Sequence, residues 1–108
     1  MTWAARANDP EGKTSPEELI AAAHASCYSM ALSAGLGKAG HTAEEIVTEA
    51  AVDFKPGTGI TGIALSVRAT VPGLGADEFA EIAEATKDGC PVSQALKAVP
   101  ITLEATLG

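Results

Sequence analysis

The spacing of apolar and polar positions along the chain predicts a long helix near its beginning. Ser15-Pro16-Glu17-Glu18 has the residues of a helix start: an N-cap serine, a proline at the first helical position and a glutamate three residues after the cap. The segment that follows carries no charged residue from Leu19 to Gly37, and we expect the helix to end at the glycines Gly35, Gly37 and Gly40. Because a helix that is apolar all round is buried on several sides, a partner subunit is expected to supply one of them.

Alternation with a period of two predicts strands in the rest of the chain, at residues 46–54, 60–71 and 99–107. The first two are expected to form a hairpin, because the loop between them is rich in glycine and proline. Helical spacing predicts an amphipathic helix over residues 76–87 and a short helix opened by Cys90-Pro91. The order α-β-β-α-α-β, with segregated helices, indicates an α+β fold.

Composition restricts the class of protein. The 108 residues suffice for one domain, with 1–14 as a residual strand or loop and 15–108 as the core, and 46% hydrophobic residues can build a packed interior. A net charge of −7 argues against nucleic-acid binding and against docking on an anionic membrane. No run approaches the ~20 apolar residues of a membrane span, and the beginning of the chain lacks the pattern of a secretory signal. We therefore expect a cytoplasmic protein.

Two cysteines are the main candidates for chemistry, because cytosolic cysteines are seldom structural disulfides. Cys90 stands at a turn before a helix, whose dipole favours a thiolate, whereas Cys27 lies mid-helix and needs a cation from elsewhere. The alternative is that both are ordinary buried cysteines. His24, three residues before Cys27, is expected to be a hydrogen-bonded helix histidine and His41 an exposed one.

Other ligands find less support in the sequence. A zinc set of Cys27, Cys90, His24 and His41 can be written, but its spacing fits no compact zinc pattern. The glycine pair around Leu36 follows a helix rather than opening one, so that a nucleotide cofactor is unsupported.

Two segments resemble a known family. SPEELIAAAHASCYSMALS (residues 15–33) is similar to the active-site helix of the OsmC/Ohr family, and GCPVSQAL (89–96) to its second cysteine segment. Together with Val71-Pro72-Gly73, the match covers nearly the whole chain and is closer to the OsmC branch. The resemblance implies an intertwined homodimer in which long central helices pack against antiparallel sheets. It also implies an N-terminal β-meander, of which Met1-Thr2-Trp3 is expected to be a stub.

The resemblance also implies a function, that of a thiol-dependent peroxidase that reduces organic hydroperoxides. Cys27 would be the peroxidatic cysteine and Cys90 the resolving cysteine, which condenses with the Cys27 sulfenic acid to form an intrachain disulfide. Arg6 would stabilise the thiolate, and Glu17 would hold the guanidinium. A lipoyl-like dithiol would then reduce the disulfide, with no metal or organic cofactor.

One geometric consequence follows from the sequence numbering alone. Glu17 and Cys27 are ten residues apart on one helix, or about 15 Å along its axis, so they cannot touch within a chain. We therefore expect Arg6 to bridge the gap or Glu17 to come from the partner chain, with the site at a homodimer interface.

Three alternatives to this reading stay open. The chain could be a non-catalytic redox-sensing or structural dimer, or a binder of small apolar ligands in a pocket near Cys27, Leu32, Phe79 and Leu96. The roles of the two cysteines could also be exchanged, because local physics makes Cys90 the more acidic thiol.

Overall fold

The computed structural model describes residues 15–108, and its elements follow the predicted α+β order. They are α1 (Pro16–Lys38), β1 (Glu45–Lys55), β2 (Gly59–Thr70), α2 (Ala76–Gly89), α3 (Pro91–Ala95) and β3 (Ile101–Leu107). The predicted residual strand or loop at 1–14, with Arg6, lies outside the described residues.

The first helix begins as its sequence predicts. Ser15 is the N-cap in extended conformation, and its hydroxyl accepts a hydrogen bond from the Glu18 N–H at 3.2 Å. Pro16 follows at the first helical position, where its missing N–H costs no hydrogen bond. This start places Glu17 in the first turn, where a carboxylate also complements the helix dipole.

The end of α1 differs from the prediction, because Gly35 and Gly37 lie inside the helix. Gly35 faces α2, and a Cβ at this position would lie 3.6 Å from Ile82, so packing on α2 outweighs the low helix propensity of glycine. The helix ends at Lys38, before Gly40 turns the chain with φ of 88°. The His41 N–H then donates to the Leu36 carbonyl at 2.9 Å, which satisfies one of the last helical acceptors.

The three strands form one mixed sheet in the order β1-β2-β3. β1 and β2 pair antiparallel as the predicted hairpin, and positive φ angles occur at Gly57 in the loop and at Gly59, the first residue of β2. β3, however, pairs parallel to β2, so the expectation of an antiparallel sheet is wrong for this strand. The reason is the connection: the chain returns from β2 through two helices, and such a crossover brings the next strand back in the same direction.

The hydrophobic core lies between one face of the sheet and the helices. Residues of β2 alternate, with Ile63, Leu65, Val67 and Ala69 buried and the residues between them exposed. Three of these β2 residues, Leu65, Val67 and Ala69, share one cluster with residues from α1 and α2, namely Tyr28, Leu32, Leu36, Phe79 and Ala83. The Tyr28 hydroxyl donates to the Ala83 carbonyl at 3.0 Å and so fixes α1 against α2.

Within the described residues, α1 is long and apolar enough to cross a membrane by length and composition, which the sequence analysis did not expect. Its packing gives another reason for this apolarity. One face of α1 buries His24, Tyr28, Leu32 and Leu36, while the opposite face exposes Leu19 and Met30. We therefore interpret α1 as the core helix of the fold, with a second apolar face left uncovered in a single chain.

Candidate active site

The two cysteines, 63 positions apart in sequence, meet between α1 and the start of α3. Both are free thiols, and their sulfurs lie 3.0 Å apart in a hydrogen bond. Cys90 is fully buried, whereas Cys27 is only half-buried. The fold thus brings together the two residues that the sequence analysis singled out, at a distance from which a disulfide can form with small side-chain movements.

The position of Cys90 follows from a helix break. α2 ends at Gly89, and the Cys90 N–H donates to the Thr86 carbonyl at 2.9 Å to close its last turn. The extended backbone of Cys90 then redirects the chain into α3, with Pro91 at the first helical position as predicted. This corner between two helices carries the Cys90 side chain against α1.

The environment affects the two thiols in opposite directions. Burial, followed by the hydrogen bond with Cys90, raises the pKa of the Cys27 thiol. Burial alone would also raise the pKa of Cys90. Hydrogen bonds from Cys27 and from the backbone N–H groups of Ser93 and Val92 outweigh it and leave the pKa of Cys90 below its ordinary value. Among residues 15–108, Cys90 is therefore the more acidic thiol of the pair, as the sequence predicts.

An apolar groove of about 500 Å³ opens beside the sulfur of Cys27. It is lined by Ala23, Ser26, Cys27, Met30, Ala31 and Pro91. The predicted pocket with Leu32 and Phe79 is wrong, because both side chains are buried in the core. The groove gives a small apolar molecule access to Cys27. Cys90 lies at a separate depression of about 450 Å³, between α1 and α2, but its side chain is fully buried.

Glu17 is buried in the first turn of α1, with 7% of its surface exposed. Burial is unusual for a glutamate at a helix start, where water normally solvates the carboxylate. Because α1 is continuous from Pro16 to Lys38, the separation of about 15 Å between Glu17 and Cys27 along the axis applies. A single chain therefore does not bring Glu17 to Cys27, and Arg6, the predicted link between them, lies outside the described residues.

The two histidines contact Ser93 and Glu78 and do not form a metal site with the cysteines. His24 is fully buried, and its Nε2 lies 2.7 Å from the Ser93 hydroxyl, which confirms the prediction of a hydrogen-bonded helix histidine. His41 is partly buried rather than exposed, with Nε2 at 3.6 Å from Glu78 Oε1. In the part of the chain that the structure describes, no group of three or more His, Cys, Asp and Glu side chains could hold a metal ion, so the zinc set is not assembled.

Ser93 is the one site residue that the sequence analysis gave no role. It is buried, and its hydroxyl lies 2.7 Å from His24 Nε2. The spacing of three residues from Cys90 in a helical turn was the available signal, since it places both side chains on one face.

Comparison with known proteins agrees with this geometry. The sequence model of the family described as OsmC-like protein matches residues 8–104. The chain belongs to the OsmC-like family. It is 53% identical over 97 residues to the peroxiredoxin OsmC of Escherichia coli (strain K12), a match that covers 87% of this chain and 67% of the relative. At this identity the prediction that the chain is an enzyme, a peroxidase with an antioxidant role, is confirmed.

Solved structures of the OsmC-like family share the fold. An OsmC-like protein from Mycoplasma pneumoniae superposes with a TM-score of 0.79 at 16% identity, over 88% of this chain and 72% of that protein. An organic hydroperoxide resistance protein from Elizabethkingia anophelis gives a TM-score of 0.66 at 26% identity, over 94% and 71%. The α+β architecture predicted from the order of helices and strands is therefore confirmed.

Proposed function

We propose that this OsmC-like protein reduces organic hydroperoxides to alcohols, with Cys27 as the peroxidatic and Cys90 as the resolving cysteine. One observation carries the proposal: two free thiols lie 3.0 Å apart, and Cys27 is partly exposed beside an apolar groove while Cys90 is fully buried. A hydroperoxide with an apolar substituent fits the groove and reaches the Cys27 sulfur, whereas Cys90 is fully buried. This difference in access favours Cys27 for the first step, although Cys90 is the more acidic thiol.

The chemistry then proceeds in two steps. The Cys27 thiolate attacks one oxygen of the hydroperoxide: an S–O bond forms, the O–O bond breaks, and the alkoxide takes a proton and leaves as the alcohol. Cys90 then attacks the sulfur of the Cys27 sulfenic acid, forming the disulfide and releasing water. A dithiol reductant, lipoyl-like in its chemistry, restores both thiols by thiol–disulfide exchange.

The first step needs a positive charge near Cys27, because burial raises the pKa of this thiol. Arg6 is proposed for that role, and for stabilising the alkoxide as it leaves. Glu17, with its carboxylate buried, is proposed to hold the guanidinium in position. Arg6→Ala should slow the oxidation of Cys27 without preventing disulfide formation once the sulfenic acid exists.

We further propose a homodimer in which Glu17 of one chain serves Cys27 of the other. The uncovered apolar face of α1, with Met30 exposed by 73% and Leu19 by 49%, supports an interface along this helix. Two α1 helices packed antiparallel would place the first turn of one beside the middle of the other, which closes the 15 Å gap. The reduced thiols that the mechanism requires also fit the predicted cytoplasmic location.

The function is tested by stopped-flow oxidation of the reduced protein with cumene hydroperoxide and, separately, with hydrogen peroxide, followed by peptide mapping. Faster oxidation by the organic peroxide, ending in a Cys27–Cys90 disulfide, is the expected result. Slow oxidation at both cysteines, with no preference between the peroxides, would contradict the proposal and favour a redox-sensing or structural dimer.

The shared site is tested by mixing two inactive variants, Glu17→Gln and Cys27→Ser, under conditions that exchange subunits. A mixed dimer has one site with an intact cysteine from one chain and an intact glutamate from the other. Random exchange should restore about a quarter of the wild-type sites. If Glu17 serves Cys27 within its own chain, the mixture stays inactive.

A further inference from the structure

Two cavities border the pair of cysteines. The apolar groove lies beside Cys27, and the depression of about 450 Å³ between α1 and α2 has Cys90 in its lining. Each turn of the proposed reaction ends in a disulfide, which a reductant must attack at one of its two sulfurs. In the described part of the chain, these two cavities are the candidate routes to those sulfurs.

Only the groove leads to a cysteine with exposed surface. Cys27 is partly exposed there, whereas Cys90 is fully buried and belongs to the hydrophobic core cluster. Backbone hydrogen bonds also hold Cys90 in place: its N–H donates to the Thr86 carbonyl at 2.9 Å, and its carbonyl accepts from the Gln94 N–H at 3.0 Å. Moving Cys90 outward would break both of them. A molecule in the depression therefore meets no exposed sulfur.

The disulfide is expected to keep this difference in access, because the sulfurs are already 3.0 Å apart and small side-chain movements suffice to join them. We propose that the dithiol reductant enters the groove that admits the hydroperoxide and attacks the disulfide at Cys27, so that Cys90 is the leaving group. This inference rests on the proposed function, in which the two cysteines form the disulfide. One groove then serves both halves of the catalytic cycle.

The exchange proceeds in two steps. One sulfur of the reductant, as a thiolate, attacks the Cys27 sulfur: a mixed S–S bond forms, the Cys27–Cys90 bond breaks, and Cys90 leaves as a thiolate that takes up the proton the reductant released. The second thiol of the reductant then attacks the reductant's own bound sulfur and expels Cys27, which takes up the second proton. The reductant leaves as a cyclic disulfide, oxidised by two electrons, and both cysteines are reduced.

The acidity of the two thiols supports the same direction of attack. Their described surroundings leave the pKa of Cys90 below its ordinary value and raise the pKa of Cys27. In thiol–disulfide exchange, the thiol with the lower pKa leaves faster. Attack at Cys27 therefore expels the better leaving group, whereas attack at Cys90 would need a buried target and would expel the poorer one.

The direct test uses Cys27→Ser and Cys90→Ser, each of which retains one of the two cysteines of the chain. Serine is close to cysteine in size, so the remaining thiol keeps its cover. The probe is the neutral disulfide dithiodipyridine, with which a protein thiol forms a mixed disulfide by the reverse of the second step. Cys90→Ser, which retains Cys27, should react in the folded protein. Cys27→Ser should react only after urea unfolds it, although it retains the more acidic thiol.

This experiment separates access from acidity. In urea both variants should react fully, which shows that each remaining thiol is free. If folded Cys27→Ser reacts as fast as folded Cys90→Ser, then Cys90 is open to reagents and the proposal is overturned.

A matched pair of variants tests the route from the disulfide state. Ala23 lines the groove and Ala34 lines the depression, and both are exposed positions inside α1. After diamide has closed the disulfide, Ala23→Leu should slow its reduction by dihydrolipoamide several-fold, and Ala34→Leu should be reduced at the wild-type rate. The reverse pattern, or equal rates in the two variants, would contradict the proposal.

The product alcohol gives a further readout of a shared groove. Cumyl alcohol, which forms from cumene hydroperoxide, has the apolar body of that substrate without its O–O bond. It should slow reduction of the wild-type disulfide by dihydrolipoamide, and a high concentration of the dithiol should abolish the effect. Reduction that the alcohol leaves unchanged would argue against one groove for both reactants. Because diamide closes the disulfide, these measurements do not depend on the peroxidase step, and slow oxidation by cumene hydroperoxide would refute the proposed function alone.

Discussion

Closing the Cys27–Cys90 disulfide is expected to stabilise the fold strongly. The bond would close a loop of 63 positions, which in the chain-entropy description removes about 14 cal/mol/K from the unfolded state, or about 4 kcal/mol at 25 °C. The sulfurs are already 3.0 Å apart, so the helices need not separate or repack for the bond to form. The oxidised and reduced proteins should therefore share one fold and differ mainly in the free energy of unfolding.

This difference should be measurable as a shift in melting temperature. A chain of 108 residues has an unfolding entropy of about 230 cal/mol/K near its midpoint, so about 4 kcal/mol corresponds to a rise of about 15 to 20 °C. We would record calorimetric scans of the reduced protein and of protein oxidised with one equivalent of cumene hydroperoxide. Both need the same protein concentration, because dissociation of a dimer makes the midpoint depend on concentration.

The control is Cys90→Ala, which cannot close the loop and should show no such rise after the same treatment. Non-reducing mass analysis must find the oxidised chain at its monomer mass. An oxidised wild type that melts no higher than the reduced protein would refute the reasoning, as would a cross-linked species of twice the mass, since the bond would then join two chains.

Three further outcomes are expected. Cys27→Ser should abolish peroxide turnover, while Cys90→Ser should react once and then over-oxidise at Cys27, as intact mass would show; the reverse pattern would exchange the two roles. Burial lowers the pKa of His24, so the unfolded state binds a proton at this ring more readily than the folded state. The free energy of unfolding should therefore fall as the pH drops below about 6.5. Urea titrations should show a weaker dependence of this free energy on pH in His24→Gln. Leu32→Ala, at a fully buried position, should lower the free energy of unfolding by about 3 kcal/mol, and a loss under 1 kcal/mol would mean that the core repacks there.

The sequence predicted helices and strands well where their formation depends on residues within a few positions of each other. The Ser15 cap, the proline after it and the alternation in β2 all act within a few positions, and each is present in the structure. The glycines of α1 were misleading, because Gly35 packs against α2, a contact that no local pattern reveals. The parallel pairing of β3 follows from the return of the chain through two helices. The antiparallel sheet was expected because the hairpin of β1 and β2 is antiparallel, and the alternation within β3 itself does not indicate its direction.

The features of the site likewise separate into those that local sequence predicts and those that depend on packing between distant segments. The cysteines could be named from their segments, but their 3.0 Å contact depends on packing between elements 63 positions apart. The burial of His24 and its bond to Ser93 likewise join two distant segments, so the sequence could predict that His24 has a partner but not which one. The predicted apolar pocket failed for the same reason, because apolar residues in a sequence do not distinguish a core from a groove.

The division of properties between the two thiols is the strongest constraint on the mechanism. The thiol that a hydroperoxide can reach, Cys27, is the one that its described surroundings make less acidic, while the acidic thiol, Cys90, is sealed from the groove. A peroxidase cannot work with this arrangement alone, because the attacking sulfur must be a thiolate. In the proposed mechanism, residues 15–108 of one chain hold both cysteines, and the charge that activates Cys27 is brought to them. We propose that Arg6, held by the Glu17 of a second chain, supplies that charge, and the subunit-exchange experiment with Glu17→Gln decides whether Glu17 acts across an interface.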